Sequence, residues 1–349
     1  MTSSRYRGSL AVWALLIAYA SLYPFVPLRP ASTEAVLGYF SRPRYVTAFD
    51  VAVNVLAYAP LGTLACLYFR QADATARAIL KATACCAAFS FTMEFLQLFV
   101  VGRIASMYDT LANTAGALWG ALVFADPFYS LVTRPLGERR EELIVPGAWG
   151  DAGLALVMLW MIAQLNPALP FFGAGNIAGA GADADSGELV ALQWAAVAAS
   201  IWGFGLFVSS LLRGEHGALR ATLVLLSVAL WLKFVAATFM LQPHFAEEWL
   251  SVGRVLGLVA GIVMLVPTRR FSRAVRIYLA LMLVLAGALF SKIVGSYSPL
   301  DDFLRLFRWP YGQLASFATL TRFLHEAWPL MALVFLIALF LRSRREPMR

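Results

Sequence analysis

Ten stretches of the chain are apolar for long enough to read as membrane-spanning helices. They lie near 9–27, 51–69, 78–101, 109–125, 150–167, 188–212, 219–242, 250–267, 275–297 and 326–342. A helix that crosses the hydrocarbon core needs about 20 mostly apolar residues, and each stretch approaches or exceeds that length. The fold class expected is therefore all-α, a polytopic integral membrane protein of about ten transmembrane helices. Between Asp50 and Ala125 the apolar pattern is repeatedly broken by polar residues: Asp50, Asn54, Tyr58, Glu94, Gln97, Arg103, Asp109 and Asn113. A charge at mid-membrane costs about 2.5–3.5 kcal/mol on insertion scales unless it faces protein or water. A cluster of such residues marks where the protein works.

Helical spacing sorts these residues into three faces. Asp50, Asn54, Tyr58 and Gly62 recur every four residues on the second helix. Thr83, Ala87, Ser90, Glu94 and Gln97 form a stripe on the third. Asp109, Asn113, Gly116 and Gly120 form one on the fourth, and Gly116-x-x-x-Gly120 is the small-residue spacing that lets helix backbones approach closely. Pro60 inside the second helix removes one backbone hydrogen bond, so a carbonyl near Leu56 needs another donor. Placed on the 78–101 span, Glu94 lies about seven residues from its end, roughly 10 Å deep at about 1.5 Å per residue. Arg103, in the short connector, is within reach of Glu94 or Asp109. The three helices are expected to converge on one polar pocket.

Charge gives the chain a direction. The net charge is +8 with 28 Lys and Arg, a balance that raises the possibility of nucleic acid, but the distribution assigns it to topology instead. With the N-terminus in the cytoplasm, ten helices threaded, and Lys81, Arg220, Arg276 and Arg342 at the span ends counted with the cytoplasmic segments, 18 of the 28 basic residues are cytoplasmic, 7 external and 3 inside helices. This is the positive-inside pattern; it puts both termini in the cytoplasm and the polar cluster toward the external face. Ala18-Tyr19-Ala20 after Arg5 and Arg7 has the form of a signal-peptide cleavage site. The apolar run continues through Tyr23 and Phe25, however, and cleavage would leave an odd helix count, so the segment reads as a retained helix. The composition, 60% hydrophobic and 14% charged with mean hydropathy +0.72, excludes a soluble globular domain of this length.

Three regions are expected: a four-helix membrane domain over 1–126, a charged cytoplasmic linker over 127–149, and a six-helix membrane domain with external loops over 150–349. The halves show no convincing internal repeat. The loop Phe172–Gly187 contains Gly173-Ala174-Gly175 and Asp183–Gly187, loose likenesses to a dinucleotide fingerprint and a calcium loop, and both read as loop sequence. Asp301–Pro310 (DDFLRLFRWP) fits a short interfacial amphipathic helix. Cys66, Cys85 and Cys86 sit inside helices as small packing residues. His216, His244 and His325 are far apart without ligand spacing, so no metal and no cofactor is expected. Lys233, Arg254 and Lys292 fall in the external halves of their helices. They either snorkel to headgroups or form a cationic lining for an anionic headgroup.

Asn54-x-x-x-Tyr58-x-Pro60-x-Gly62, Glu94-x-x-Gln97, Gly102-Arg103 and Asp109-x-x-x-Asn113-x-x-Gly116 together resemble the signature of VanZ-like membrane proteins, over about residues 9–125. That family is named for a protein in glycopeptide-resistance clusters that lowers sensitivity to teicoplanin. The resemblance implies a multi-pass protein of the bacterial cytoplasmic (inner) membrane working in the cell envelope, and carries no catalytic assignment.

Three functions stay open, ranked in this order. The first is a binding or accessory protein for a cell-envelope lipid precursor or amphiphile of glycopeptide or lipoglycopeptide type. The second is an intramembrane enzyme with Glu94 or Asp109 as general base and Arg103 stabilising negative charge. The third is a lipid or amphiphile transporter. The expected ligand contacts are Asp50, Asn54, Tyr58, Gln97, Arg103, Asn113, Lys233, Arg254 and Lys292, with an anionic headgroup in the outer-face pocket and its tail in the bilayer between the halves. The expected partners are membrane lipids, with an isoprenoid-linked or glycolipid envelope precursor as the candidate, and no nucleic acid.

Overall fold

The computed structural model describes residues 3–23, 25, 27–41, 48–124, 126, 140–172, 187–214, 217–242, 251–294, 304–307 and 313–345. The chain divides into two compact units, Met1–Glu138 and Arg139–Arg349. Among the described residues the secondary structure is helical, with isolated bridges and no strand.

The first unit contains α1 (Ser3–Leu22), α2 (Thr33–Phe40), α3 (Ala48–Phe69), α4 (Thr75–Gln97) and α5 (Met107–Trp119), the last continued by a π-helical turn, Gly120–Phe124. The helix starts follow from local chemistry. Ser32 caps α2 by accepting the Ala35 N–H, with Glu34 in the first turn. Ser106 caps α5 by accepting the Tyr108 N–H, with Asp109 in the first turn, where a carboxylate favours the positive end of the helix. α3 packs most extensively on α5, and both contact α4. The spaced glycines explain the closeness. A Cβ on Gly62 would lie 2.0 Å from the Ala117 carbonyl oxygen, one on Gly116 2.4 Å from that of Val55, and one on Gly120 1.9 Å from that of Ala59. The small-residue stripe is thus a backbone-to-backbone seam.

Helix α3 runs unbroken through Pro60. The side-chain donors recorded near it serve the carbonyls of Ala57 and Ala59 rather than that of Leu56. Trp13 Nε1 donates to Ala57 at 2.9 Å, and Thr63 Oγ1 lies 2.9 Å from the Ala59 oxygen and 3.0 Å from that of Gly120, at the start of the π turn. The exterior of the unit is apolar, with Leu56, Leu80, Phe91, Phe95, Leu111 and Leu122 exposed, while Asn54, Ser90, Glu94, Gln97 and Asn113 are buried. Polar inside and apolar outside is the arrangement a bilayer selects.

The second unit contains α6 (Ala148–Gln164), α7 (Gly187–Leu211), α8 (Ala218–Met240), α9 (Val252–Leu265), a 3₁₀ turn (Pro267–Arg270), α10 (Arg273–Val294) and α11 (Gln313–Arg345). α7 is central, packed along α10 and α9. Gly253, Gly257 and Gly261 line the α9 face against Val190, Trp194 and Ile201 of α7. Around α7 lies an aromatic core in which Trp160 stacks on Phe204 at 4.2 Å and Phe207 meets Trp328 edge-on.

Each of the ten predicted segments falls on a helix, with 109–125 spread over α5 and its π turn. Among the described residues six helices are long and apolar enough to cross a membrane: Asp50–Phe69, Thr75–Gln97, Val190–Leu211, Ala218–Met240, Arg273–Ile293 and Phe317–Arg342. Tyr6–Leu22, Ala148–Gln164 and Val252–Leu265 are shorter apolar helices. The protein is an all-α polytopic membrane protein. The sequence Gly173-Ala174-Gly175 lies outside the described residues, as does most of Asp183–Gly187. Of Asp301–Pro310 only 304–307 are described; Leu304, Leu306 and Phe307 are buried there, and Gln242 N–H donates to the Leu306 carbonyl. That stretch is core rather than an interfacial face.

Candidate functional site

The end of α1, the start of α3, the end of α4 and the start of α5 come together at one end of the first unit, and the polar stripes meet there. Glu94 is 3% exposed, and its Oε2 accepts the Ser106 backbone N–H at 2.8 Å. The carboxylate therefore sits at the N-terminus of α5, where a free N–H and the helix dipole both favour negative charge. Because α4 ends at Gln97, not near 101, Glu94 lies about one turn from the helix end, roughly 5 Å rather than about 10 Å. Asn54 Nδ2 donates to Asp109 Oδ1 at 2.8 Å, tying α3 to α5. Asp50 and Glu94 are both electrostatic neighbours of Asp109, so three carboxylates share this end.

One layer deeper are Tyr58, Ser90 and Asn113, all buried. Asn113 Nδ2 donates to Ser90 Oγ at 2.9 Å, while its Oδ1 has no hydrogen-bond partner. The Tyr58 hydroxyl has Ser90 and Glu94 as its polar neighbours but forms no hydrogen bond of normal geometry. Buried polar atoms left unsatisfied cost about 1–3 kcal/mol each. Two of them beneath a carboxylate layer call for a partner.

Arg103 is placed differently from the expectation. It is within electrostatic reach of Glu94, yet among the described residues no ion pair joins it to a carboxylate. Its Nε donates to the Tyr23 carbonyl at 2.9 Å and its Nη2 to that of Ala20 at 2.6 Å. The guanidinium thus closes the C-terminal end of α1, where carbonyls lack intrahelical donors and a cation is favoured. Gly102, at φ +83, supplies the backbone turn that aims it there. Burial pushes the Arg103 guanidinium below its ordinary value, and the Glu94 carboxylate opposes that shift. Gln97 does the same kind of work, its Nε2 donating to the Ser21 carbonyl at 3.0 Å. Both side chains, expected to contact ligand, are instead engaged in holding α1.

Sequence reasoning missed Ser106, whose N–H anchors Glu94; Ser90, placed on the polar stripe but not among the expected ligand contacts, holds Asn113. A Ser immediately before the Asp109 helix was a legible capping signal. Tyr39, whose hydroxyl lies 3.1 Å from Thr110 Oγ1, was also missed, since nothing in its spacing linked α2 to α5.

The cations of the second unit separate into two environments. Lys233 is 0% exposed and donates to the Asn166 carbonyl at 2.7 Å. It does not snorkel, because an accepting carbonyl is held within the protein core. Arg254 is half-buried and an electrostatic neighbour of Lys233. Lys292 is exposed and lies 4.0 Å from Glu326 Oε2; Arg322 Nε approaches the other oxygen of the same carboxylate at 3.4 Å.

A buried carboxylate, two half-buried ones and buried amides at one end of an apolar helical unit define a multi-pass membrane protein with a polar cluster among its helices. Its N-terminal part is VanZ-like: residues 6–131 match the family model described as VanZ/LLP1. No curated protein and no solved structure matches the chain.

Proposed function

We propose that the N-terminal unit binds the polar head of a cell-envelope amphiphile at the outer face of a bacterial inner membrane. The observation that carries the proposal is the pair of buried, unsatisfied atoms, Asn113 Oδ1 and Tyr58 Oη, beneath the Glu94, Asp109 and Asp50 carboxylates. The chemistry selects the head. Carboxylates such as Glu94 and Asp109 disfavour a phosphate beside them, and the Arg103 guanidinium, within electrostatic reach of Glu94, is spent on α1 carbonyls. Carboxylate and amide oxygens accept from hydroxyls and amines. The part recognised is therefore a hydroxyl- or amine-bearing group, as on a glycolipid, the sugar of an isoprenoid-linked precursor, or a lipoglycopeptide. This replaces the anionic headgroup expected from Arg103. Sidedness rests on the positive-inside distribution.

One observation favours a second reading, an intramembrane enzyme. Glu94 is fixed through Oε2 alone, leaving Oε1 for proton transfer to or from a ligand. Lipid mass spectrometry on purified wild type, Asn113→Ala and Glu94→Gln separates the two readings. A binding module loses a specific co-purified amphiphile in Asn113→Ala and keeps it, chemically unchanged, in Glu94→Gln. An enzyme accumulates an unprocessed species in Glu94→Gln. Identical lipid profiles in all three proteins, with unchanged envelope composition in cells, would make the cluster structural.

A further inference from the structure

The connectors at the polar end of the first unit form one layer. Leu28 and Val100 make an antiparallel bridge, in which the Arg29 N–H donates to the Phe99 carbonyl at 2.8 Å and the Val101 N–H to that of Pro27 at 3.3 Å. Helix α2 belongs to the same layer, with Tyr39 clustered against Leu98, Ala105 and Phe99. These are connectors, yet their exposed residues are strongly apolar. Ile104 is 86% exposed, and Leu28, Leu37 and Phe40 are each 67% exposed. Single exposed apolar residues are ordinary, whereas several on one layer mark a surface with a partner.

Three observations say what that partner is. The first is length. The Arg70–Asp126 ion pair and the 2.7 Å pair of Asp73 with Lys81 mark the opposite end of the unit. From there the chain rises to the connectors through a π turn of 5 residues and the 13 residues of α5, about 27 Å at about 1.5 Å per residue. The hydrocarbon core is about 30 Å thick, so the start of α5 does not clear it. The second is the backbone. Irregular chain is tolerated at membrane depth only where protein meets its polar groups. The N–H groups of Leu98, Phe99, Val100, Val101 and Arg103 all reach carbonyls, and that of Ser106 reaches Glu94. The third is aromatic. Phe25 meets Tyr19 edge-on at 5.4 Å and Tyr23 at 6.2 Å, and tyrosine is enriched at membrane–water interfaces.

We infer that this cap is immersed in the acyl border of the outer leaflet and that its partner is the lipid itself. Arg29 and Glu34, also exposed, then lie at the headgroups, to which long side chains snorkel. The polar cluster faces the bilayer sideways, and its amphiphile arrives from the leaflet rather than from water. That route rests on the binding reading given above; the immersion does not.

The test places a nitroxide on Ile104→Cys or Leu37→Cys in vesicles of phosphatidylcholine and phosphatidylglycerol. Cys85→Ala removes the exposed native cysteine, and Cys66 and Cys86 are buried. At both sites relaxation by oxygen should exceed relaxation by a water-soluble nickel chelate, as it should at the reference site Leu56→Cys on the apolar exterior of α3. Nickel dominance at either cap site, with oxygen dominance at Leu56→Cys, overturns the immersion and leaves the surface to a protein partner in water. Should Ile104→Cys fail to fold, Leu37→Cys decides alone. An oxygen-dominated cap in a protein whose lipid profile ignores both Asn113→Ala and Glu94→Gln would uphold the immersion and refute the binding reading.

Discussion

Asn54 Nδ2 donates to Asp109 Oδ1 at 2.8 Å, joining the second turn of α3 to the first turn of α5 across the mouth of the polar cluster. The bond fixes the Asn54 amide with its nitrogen toward the carboxylate. It sits at the open end of the seam that Gly62, Gly116 and Gly120 close further along the same two helices. Side-chain hydrogen bonds inside membranes are worth about 0.6 kcal/mol on average and at most about 1.7. A double-mutant cycle of Asn54→Ala and Asp109→Ala, read by unfolding in mixed micelles, should return a coupling within that range. Additive effects would mean the contact contributes nothing.

The glycine seam leads to a larger effect. Gly116→Ala puts a Cβ 2.4 Å from the Val55 carbonyl oxygen, a backbone atom that cannot rotate aside. Overpacking costs about 1–3 kcal/mol or more, so the thermal midpoint should fall clearly. Gly38→Ala, where nothing lies within 4 Å, is the control and should leave it unchanged. Equal behaviour of the two variants would refute the close approach of α3 and α5.

Arg103 is expected to act on α1 rather than on ligand. Arg103→Ala should speed hydrogen exchange at the C-terminal turn of α1, over 19–23, while Arg103→Lys restores protection only in part, because one ammonium cannot reproduce the fork to Ala20 and Tyr23. Loss of bound amphiphile with no change in exchange would return Arg103 to the ligand site.

Topology has its own measurement. If both termini are cytoplasmic, as the positive-inside pattern implies, alkaline phosphatase fused after Gly179 should be active and after Arg139 inactive. The reverse pattern would place the polar cluster on the cytoplasmic side.

What was legible in the sequence followed from periodicity. The 4-3-4 spacing of Asp109, Asn113, Gly116 and Gly120 identified a face, and Asn113, Gly116 and Gly120 are buried on it. The partners of Arg103 were not legible, because Ala20 and Tyr23 lie about eighty residues away and offer only backbone oxygens. Lys233 was ambiguous for a related reason. A lysine in the external half of an apolar helix looks the same whether it reaches out to headgroups or is held by an interior carbonyl, and only the Asn166 turn decides between them. The depth of Glu94 was overestimated because Leu98–Val101 is apolar enough to extend a span, although the helix ends at Gln97.

The most direct test of the binding account is an experimental structure of the protein purified from native membranes with its co-purified amphiphile retained. The account predicts a hydroxyl- or amine-bearing head within hydrogen-bond distance of Asn113 Oδ1 or Tyr58 Oη, beneath Asp109 and Glu94. A structure in which those atoms are satisfied by the protein's own side chains, with bound lipid only on the apolar exterior, would contradict it.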